Sequence, residues 1–152
     1  MRPLTAEFRD LPTFRLAGPR QWHNLADALQ TIPDQWDRFR ASELPGADAV
    51  VTYGASCQAD MPNQRFEYLA GSEVLDFENV PTDSRMIVPA AHYAVFTLDR
   101  VEDIQPFFKQ LFSEWVPASG KKLAHTPNFE RYDERFDPQT RGPLELWIPI
   151  QP

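Results

Sequence analysis

A chain of 152 residues with 42% hydrophobic and 24% charged residues fits a single globular domain. A domain of this size buries about 70% of its unfolded surface, so its core needs no metal or disulfide staple. Fifteen Lys and Arg against 22 Asp and Glu leave a formal charge of −7, which argues against direct nucleic-acid binding because that affinity is mostly cation to phosphate. A cationic small molecule is weakly attracted instead. No 18 apolar residues stand together and the first residues hold no apolar run of signal-peptide length, so the expectation is a cytosolic protein without membrane contact. Cys57 is the only cysteine, which rules out an intrachain disulfide. With no His or basic neighbour in sequence it reads as a structural thiol.

In chain order, Phe14-Arg15-Leu16-Ala17 alternates apolar and polar positions and runs into Gly18-Pro19, the pattern of a strand ending in a turn. A polar connection with helical character follows over Trp22–Leu29. Thr31 ahead of Ile32-Pro33-Asp34 resembles an N-cap with Pro and an acid in the first turn, so a helix is expected from there to Ser42, with Ile32, Trp36 and Phe39 on one face. The β-forming runs 49–57 and 64–73, joined by Asp60-Met61-Pro62-Asn63, predict a hairpin. Residues 86–98 predict one long strand kinked near Pro89. The residues Val101, Ile104, Phe107, Phe108, Leu111, Phe112, Trp115 and Val116 recur at three and four, predicting a helix over 101–117 that Pro117 closes. A short strand at Phe129–Tyr132 and a final one at Leu144–Ile150 complete the chain. The order strand, helix, strand, strand occurs twice, at about 10–80 and about 84–152. The expected fold is therefore α+β: duplicated βαββ units forming a mixed or antiparallel sheet, with two helices on one face and a ligand cleft between the repeats. The sheet face away from the helices is expected to be free.

Several local signatures match a known family. Ile32-Pro33 with Trp36 and Phe39, Tyr68-Leu69-Ala70-Gly71, Val88-Pro89-Ala90 with Tyr93-Ala94-Val95-Phe96, Trp115 with Pro117, Phe129-Glu130-Arg131-Tyr132, and Glu145-Leu146-Trp147-Ile148-Pro149 occur in its order across nearly the whole chain. On these residues the chain resembles the GyrI-like small-molecule-binding domains, which also serve as effector-binding domains of AraC- and MerR-type regulators. The resemblance implies a single domain over 1–152 with a cleft between the repeats, and a ligand-contacting glutamate in the last strand, which by position is Glu145. One departure is Ala91, where the family usually has Gly. No helix-turn-helix segment fits before residue 14 or after residue 150, so the expectation is a stand-alone domain that reaches transcription only through a partner chain.

In the last strand Leu144, Leu146, Ile148 and Ile150 share one face, and Glu145, Trp147 and Pro149 share the other. A carboxylate beside an indole suits a cationic or polarised ligand, so the expected ligand-binding residues are Glu145, Trp147, Tyr68, Tyr93 and Tyr132. Aligning Phe66-Glu67-Tyr68-Leu69 with Leu144-Glu145-Leu146-Trp147 makes Glu67 the counterpart of Glu145. Glu67 and Tyr68 cannot both face the cleft, and Tyr68 is preferred. The acidic set Glu130, Asp133, Glu134 and Asp137 reads as a solvated turn, and Trp36 as core. His23, His92 and His125 lack metal-ligand spacing, so neither metal nor cofactor is expected. The expected function is binding of a hydrophobic, cationic or electrophilic compound, for sensing or sequestration. The alternatives are a hydrolase of strained cyclopropane-type electrophiles in which Glu145 acts as acid or base, an activity some members of the family have, or an inhibitor that binds DNA gyrase or another protein partner.

Overall fold

The computed structural model describes residues 3–152. Nine strands form one antiparallel, curled sheet: β1 (Glu7–Leu11), β2 (Phe14–Ala17), β3 (Arg20–Asn24), β4 (Thr52–Asp60), β5 (Arg65–Val74), β6 (Arg85–Val88), β7 (Ala91–Leu98), β8 (Phe129–Tyr132) and β9 (Leu144–Ile150). The order along the sheet is β1-β7-β9-β8-β4-β5-β2-β6, with β3 also paired to β5. Helix α1 (Ala28–Ala41) lies in the first half. In the second half α2 (Ile104–Gln110) passes through a π-helical turn at Leu111–Trp115 into α3 (Val116–Ser119).

The duplication is realised as β3-α1-β4-β5 and β7-α2-β8-β9. Each unit is a hairpin whose outer strand pairs with the unit's first strand, and the halves join where β4 pairs with β8. One offset relates Ala28 to Ile104, Gly54 to Glu130 and Ala70 to Leu146, and Gly54 is itself paired with Glu130. The approximate two-fold axis therefore runs through that pair. The same offset sets Glu145 against Leu69, which corrects the alignment of Glu145 with Glu67.

Several expected boundaries move. The strand that opens the first repeat is β3, in a stretch read as a polar connection; its buried residue is a histidine, His23, which an apolar pattern does not register. Helix α1 starts before Thr31, whose hydroxyl lies 3.3 Å from the Asp27 carbonyl and 2.7 Å from His23 Nδ1 instead of capping. Pro33 sits inside the helix, where its missing N–H releases only the carbonyl of exposed Leu29. The long strand at 86–98 is two strands with different partners, β6 on β2 and β7 between β1 and β9. Pro117 opens the last helical turn, and Gly120 in the left-handed region closes the helix.

Strand alternation sorts the core into two layers. Leu144, Leu146, Ile148 and Ile150 of β9, with Ala94, Phe96 and Leu98 of β7, pack under Phe107 and Leu111 of the second helix. Both helices lie on this sheet face. The opposite face is not free: Phe14 and Leu16 of β2 and Met86 and Val88 of β6 curl over it and pack on Tyr53, Leu69, Tyr93, Val95 and Phe129.

Candidate functional site

At the centre of the helix-side face, β8 projects Glu130 and Tyr132 by the same alternation that sends Phe129 and Arg131 to the other layer. Glu130 Oε1 accepts hydrogen bonds from two phenols, Tyr68 at 2.8 Å and Tyr132 at 2.7 Å. Directly across the ladder stands Gly54. A Cβ there would overlap the Tyr68 hydroxyl and come within 2.8 Å of Glu130 Oε1, so the missing side chain is the space that lets Tyr68 cross β4 to the carboxylate. Trp36 of α1 covers the group, its ring edge-on to Tyr132 at 5.6 Å and to Tyr68 at 6.5 Å. Phe66 flanks Tyr68, and Phe136 flanks Tyr132 at 5.0 Å.

Glu130 keeps an intermediate accessible area, but the rings and strands around it remove it from bulk water. Desolvation raises its pKa, and the two phenolic hydrogen bonds offset only part of that. Burial and the adjacent carboxylate push Tyr68 and Tyr132 well above the usual phenol value, so both remain donors. Among the described residues no ion pair is made to Glu130. A half-buried carboxylate held by neutral donors and ringed by aromatic faces is an anionic centre with room in its chemistry for a cation.

A buried clamp positions Trp36. Gln35 of α1 donates through Nε2 to the carbonyls of Pro19 (2.8 Å) and Tyr68 (2.7 Å), which leaves its Oε1 to accept from His23 Nε2 at 2.5 Å. His23 thereby donates through Nε2, with Nδ1 facing Thr31. Gln35→Leu strands two backbone carbonyls and the imidazole, and the expected cost is about 2–3 kcal/mol, measured by denaturant unfolding.

The five sequence-predicted residues fall into two groups. Tyr68 and Tyr132 meet at Glu130. Glu145, Trp147 and Tyr93 lie on the other face, where Glu145 accepts from Trp147 Nε1 at 3.1 Å and pairs with Arg131 at 3.4 Å and Arg135 at 3.3 Å. Trp147 stacks on Phe129 and meets Tyr93 edge-on. Tyr93 is fully buried; its hydroxyl has no hydrogen-bond partner among the described residues, and burial pushes its pKa up to about 12. Glu130, read as part of a solvated turn, and Trp36, read as core, are both at the aromatic centre. Tyr68 and Glu67 do point to opposite faces, Glu67 pairing with Arg20 at 2.6 Å.

Residues 7–150 match the model of the Cass2 family, described as integron-associated effector binding proteins. The chain belongs to that family. It is 34% identical over 161 aligned positions to the transcriptional regulator BrlR of Pseudomonas aeruginosa, covering 99% of this chain and 57% of that protein. The chain thus spans little more than half the length of that curated relative. SAV2435 bound to tetraphenylphosphonium has a similar structure, with a TM-score of 0.72 at 16% identity over 97% of this chain and 94% of that one. So does the integron cassette protein VCH_CASS2 from the mobile metagenome of Vibrio cholerae, with a TM-score of 0.68 at 16% identity over 96% and 95%. At such identities the likeness establishes the fold, which is that of the GyrI-like domains.

Membership of an effector-binding family gives the Glu130 centre its context. A signal for it was present in the sequence: Phe129 is a core residue, and in a strand that sets Glu130 and Tyr132 together on the opposite face. Among the described residues no helix is long and apolar enough to cross a membrane, and no group of three or more His, Cys, Asp or Glu could hold a metal ion.

Proposed function

We propose that this domain binds a hydrophobic organic cation at Glu130, in the manner of an effector-sensing or sequestering module. The observation that carries the reading is the Glu130 carboxylate itself, lacking a cationic partner and walled by Trp36, Tyr68 and Tyr132. In the empty protein its desolvation is only partly offset. A bound cation supplies the missing charge and lies against up to three aromatic faces, each contact contributing about 0.5–2 kcal/mol. Glu145, already served by Arg131, Arg135 and Trp147, has far less to gain from a cation. Tetraphenylphosphonium, bound by the structurally similar SAV2435, is a suitable probe.

In the structure Trp36 and Tyr132 close over the carboxylate, so entry requires the indole or the phenol to swing aside. Trp36 sits at the solvent edge of α1 and is the mobile candidate, whereas Tyr68 is 3% exposed and anchored. The experiment is a titration with tetraphenylphosphonium followed by calorimetry and indole fluorescence. Saturable binding with a Trp36-dependent spectral change supports the reading. No binding up to millimolar ligand removes it.

A second reading, glutamate-assisted hydrolysis of an electrophile, is favoured by one observation: the raised pKa brings Glu130 closer to the range of a general acid or base. Mass spectrometry on incubations with cyclopropane electrophiles separates the two. Unchanged compound supports binding alone, and product formation lost in Glu130→Gln supports hydrolysis.

A further inference from the structure

On the face away from Glu130, the curl of β6 over β4 leaves an open depression of about 570 Å³. Its walls are of two kinds. Phe77, Met86, Ile87 and the Cys57 thiol are apolar or nearly so, and burial pushes the thiol up to about 11, so it is a neutral wall and not a nucleophile. Arg20 and Arg85 supply the rest. Arg85 lies over the Phe77 ring at 5.2 Å and donates to the carbonyls of Val80 (2.8 Å) and Phe77 (3.4 Å), but it makes no ion pair among the described residues. Its Nη1 is unspent. Arg20 spends Nη1 on the Arg85 carbonyl and Nη2 on Glu67, while its buried Nε has no partner among the described residues. An adjoining depression of about 410 Å³ shares Arg20 and holds Glu67, neutralised by that arginine, together with exposed Asp83.

In a chain of net charge −7, a guanidinium that pairs with no carboxylate among the described residues, at the edge of a partly apolar depression, needs an explanation. We propose that this depression is a second ligand site, selective for a small aromatic monocarboxylate: its carboxylate accepts from Arg85 Nη1, and its ring lies against Phe77 and Ile87. Planar guanidinium donors match a carboxylate's two oxygens, and the apolar walls reward a flat hydrocarbon body. The site is independent of Glu130 and of opposite charge preference.

Calorimetry with 2-naphthoate tests it on the whole chain, with neutral 2-naphthamide and tetraphenylphosphonium as controls. The expected result is saturable 2-naphthoate binding, at least about tenfold tighter than 2-naphthamide, undisturbed by saturating tetraphenylphosphonium. Arg85→Gln should weaken it about tenfold or more, the scale of a lost charge-assisted hydrogen bond. Because Arg85 also holds two loop carbonyls, Ile87→Glu provides a second variant at a position 56% exposed, placing a repelling charge at the mouth without touching the core. Equal affinity for the amide, displacement by tetraphenylphosphonium, or unchanged 2-naphthoate affinity in Ile87→Glu overturns the proposal.

Discussion

Glu130→Gln is expected to abolish measurable tetraphenylphosphonium binding, a loss of at least about a hundredfold, while making the empty protein more stable. Gln has the same shape and its carbonyl oxygen still accepts from Tyr68 and Tyr132, so the cluster remains assembled. What disappears is the charge. In the complex that charge is the cation's partner in a site of low dielectric, where truncating one member of a pair typically costs 2–5 kcal/mol. In the empty protein the same charge is only partly compensated, so removing it contributes roughly 1 kcal/mol of stability, or about 2–4 °C in Tm for a chain of this size. The pH dependence carries the same sign. The folded pKa of Glu130 is raised above its unfolded value of about 4.3, so its contribution to the empty protein's stability is fully present below that value and lost as pH rises through the raised one. Cation affinity runs the other way and falls as acid protonates Glu130. Affinity and melting curves measured from pH 4 to 8, wild type beside Glu130→Gln, check both. A variant that keeps its affinity removes Glu130 from the site.

Gly54→Ala is expected to destabilise the protein by about 3–5 kcal/mol and to weaken cation binding, although alanine suits a strand. The added methyl enters the space of the Tyr68 hydroxyl and the end of its ring. Tyr68 is 3% exposed and its backbone carbonyl is held by Gln35, so it cannot simply rotate away. Overpacking of this kind costs about 1–3 kcal/mol, and losing a hydrogen bond to a carboxylate adds about 1.5–3. The double-mutant cycle with Tyr68→Phe gives the decisive measurement. Deleting the hydroxyl removes the closest of the overlaps, leaving those with the ring end and Glu130 Oε1, so the double variant should be less destabilised than the two single costs summed. Simple additivity would mean that Gly54 matters for some other reason.

Much of the fold was legible because hydrophobic period and burial coincide in it. The alternation of β9, the stripe of Phe107 and Leu111, and the opposed directions of Glu67 and Tyr68 follow from spacing alone. Strand β3 was not legible because its inward residue is His23, satisfied by Thr31 and Gln35 from a helix that the sequence does not announce as its neighbour. Strand β1 is a short edge strand of mainly exposed residues, with little apolar pattern to read. The site divided in the same way. Tyr68 and Tyr132 stood out as aromatic residues in strands, but Glu130 sits among Asp133, Glu134 and Asp137, and local composition reads such a set as solvated. Its burial comes from Tyr68, 62 residues away, and from Trp36, contacts that only the folded sheet creates. Glu145 drew attention because Trp147 is two residues on, and that adjacency proved to be an intrastrand hydrogen bond beside two arginines.

The pairing of Gly54 with Glu130 on the approximate two-fold axis has a consequence for stoichiometry. If both repeats carried a glutamate there, two carboxylates would face each other across the ladder with Cβ atoms about 5 Å apart, and both could not stay ionised out of water. Glycine in one repeat leaves a single negative charge at the centre of a duplicated structure, and the vacated volume is filled by a phenol that donates to it. Two copies of the unit therefore build one anionic acceptor, which under the proposed function serves one monovalent cation, and neither copy holds that acceptor alone.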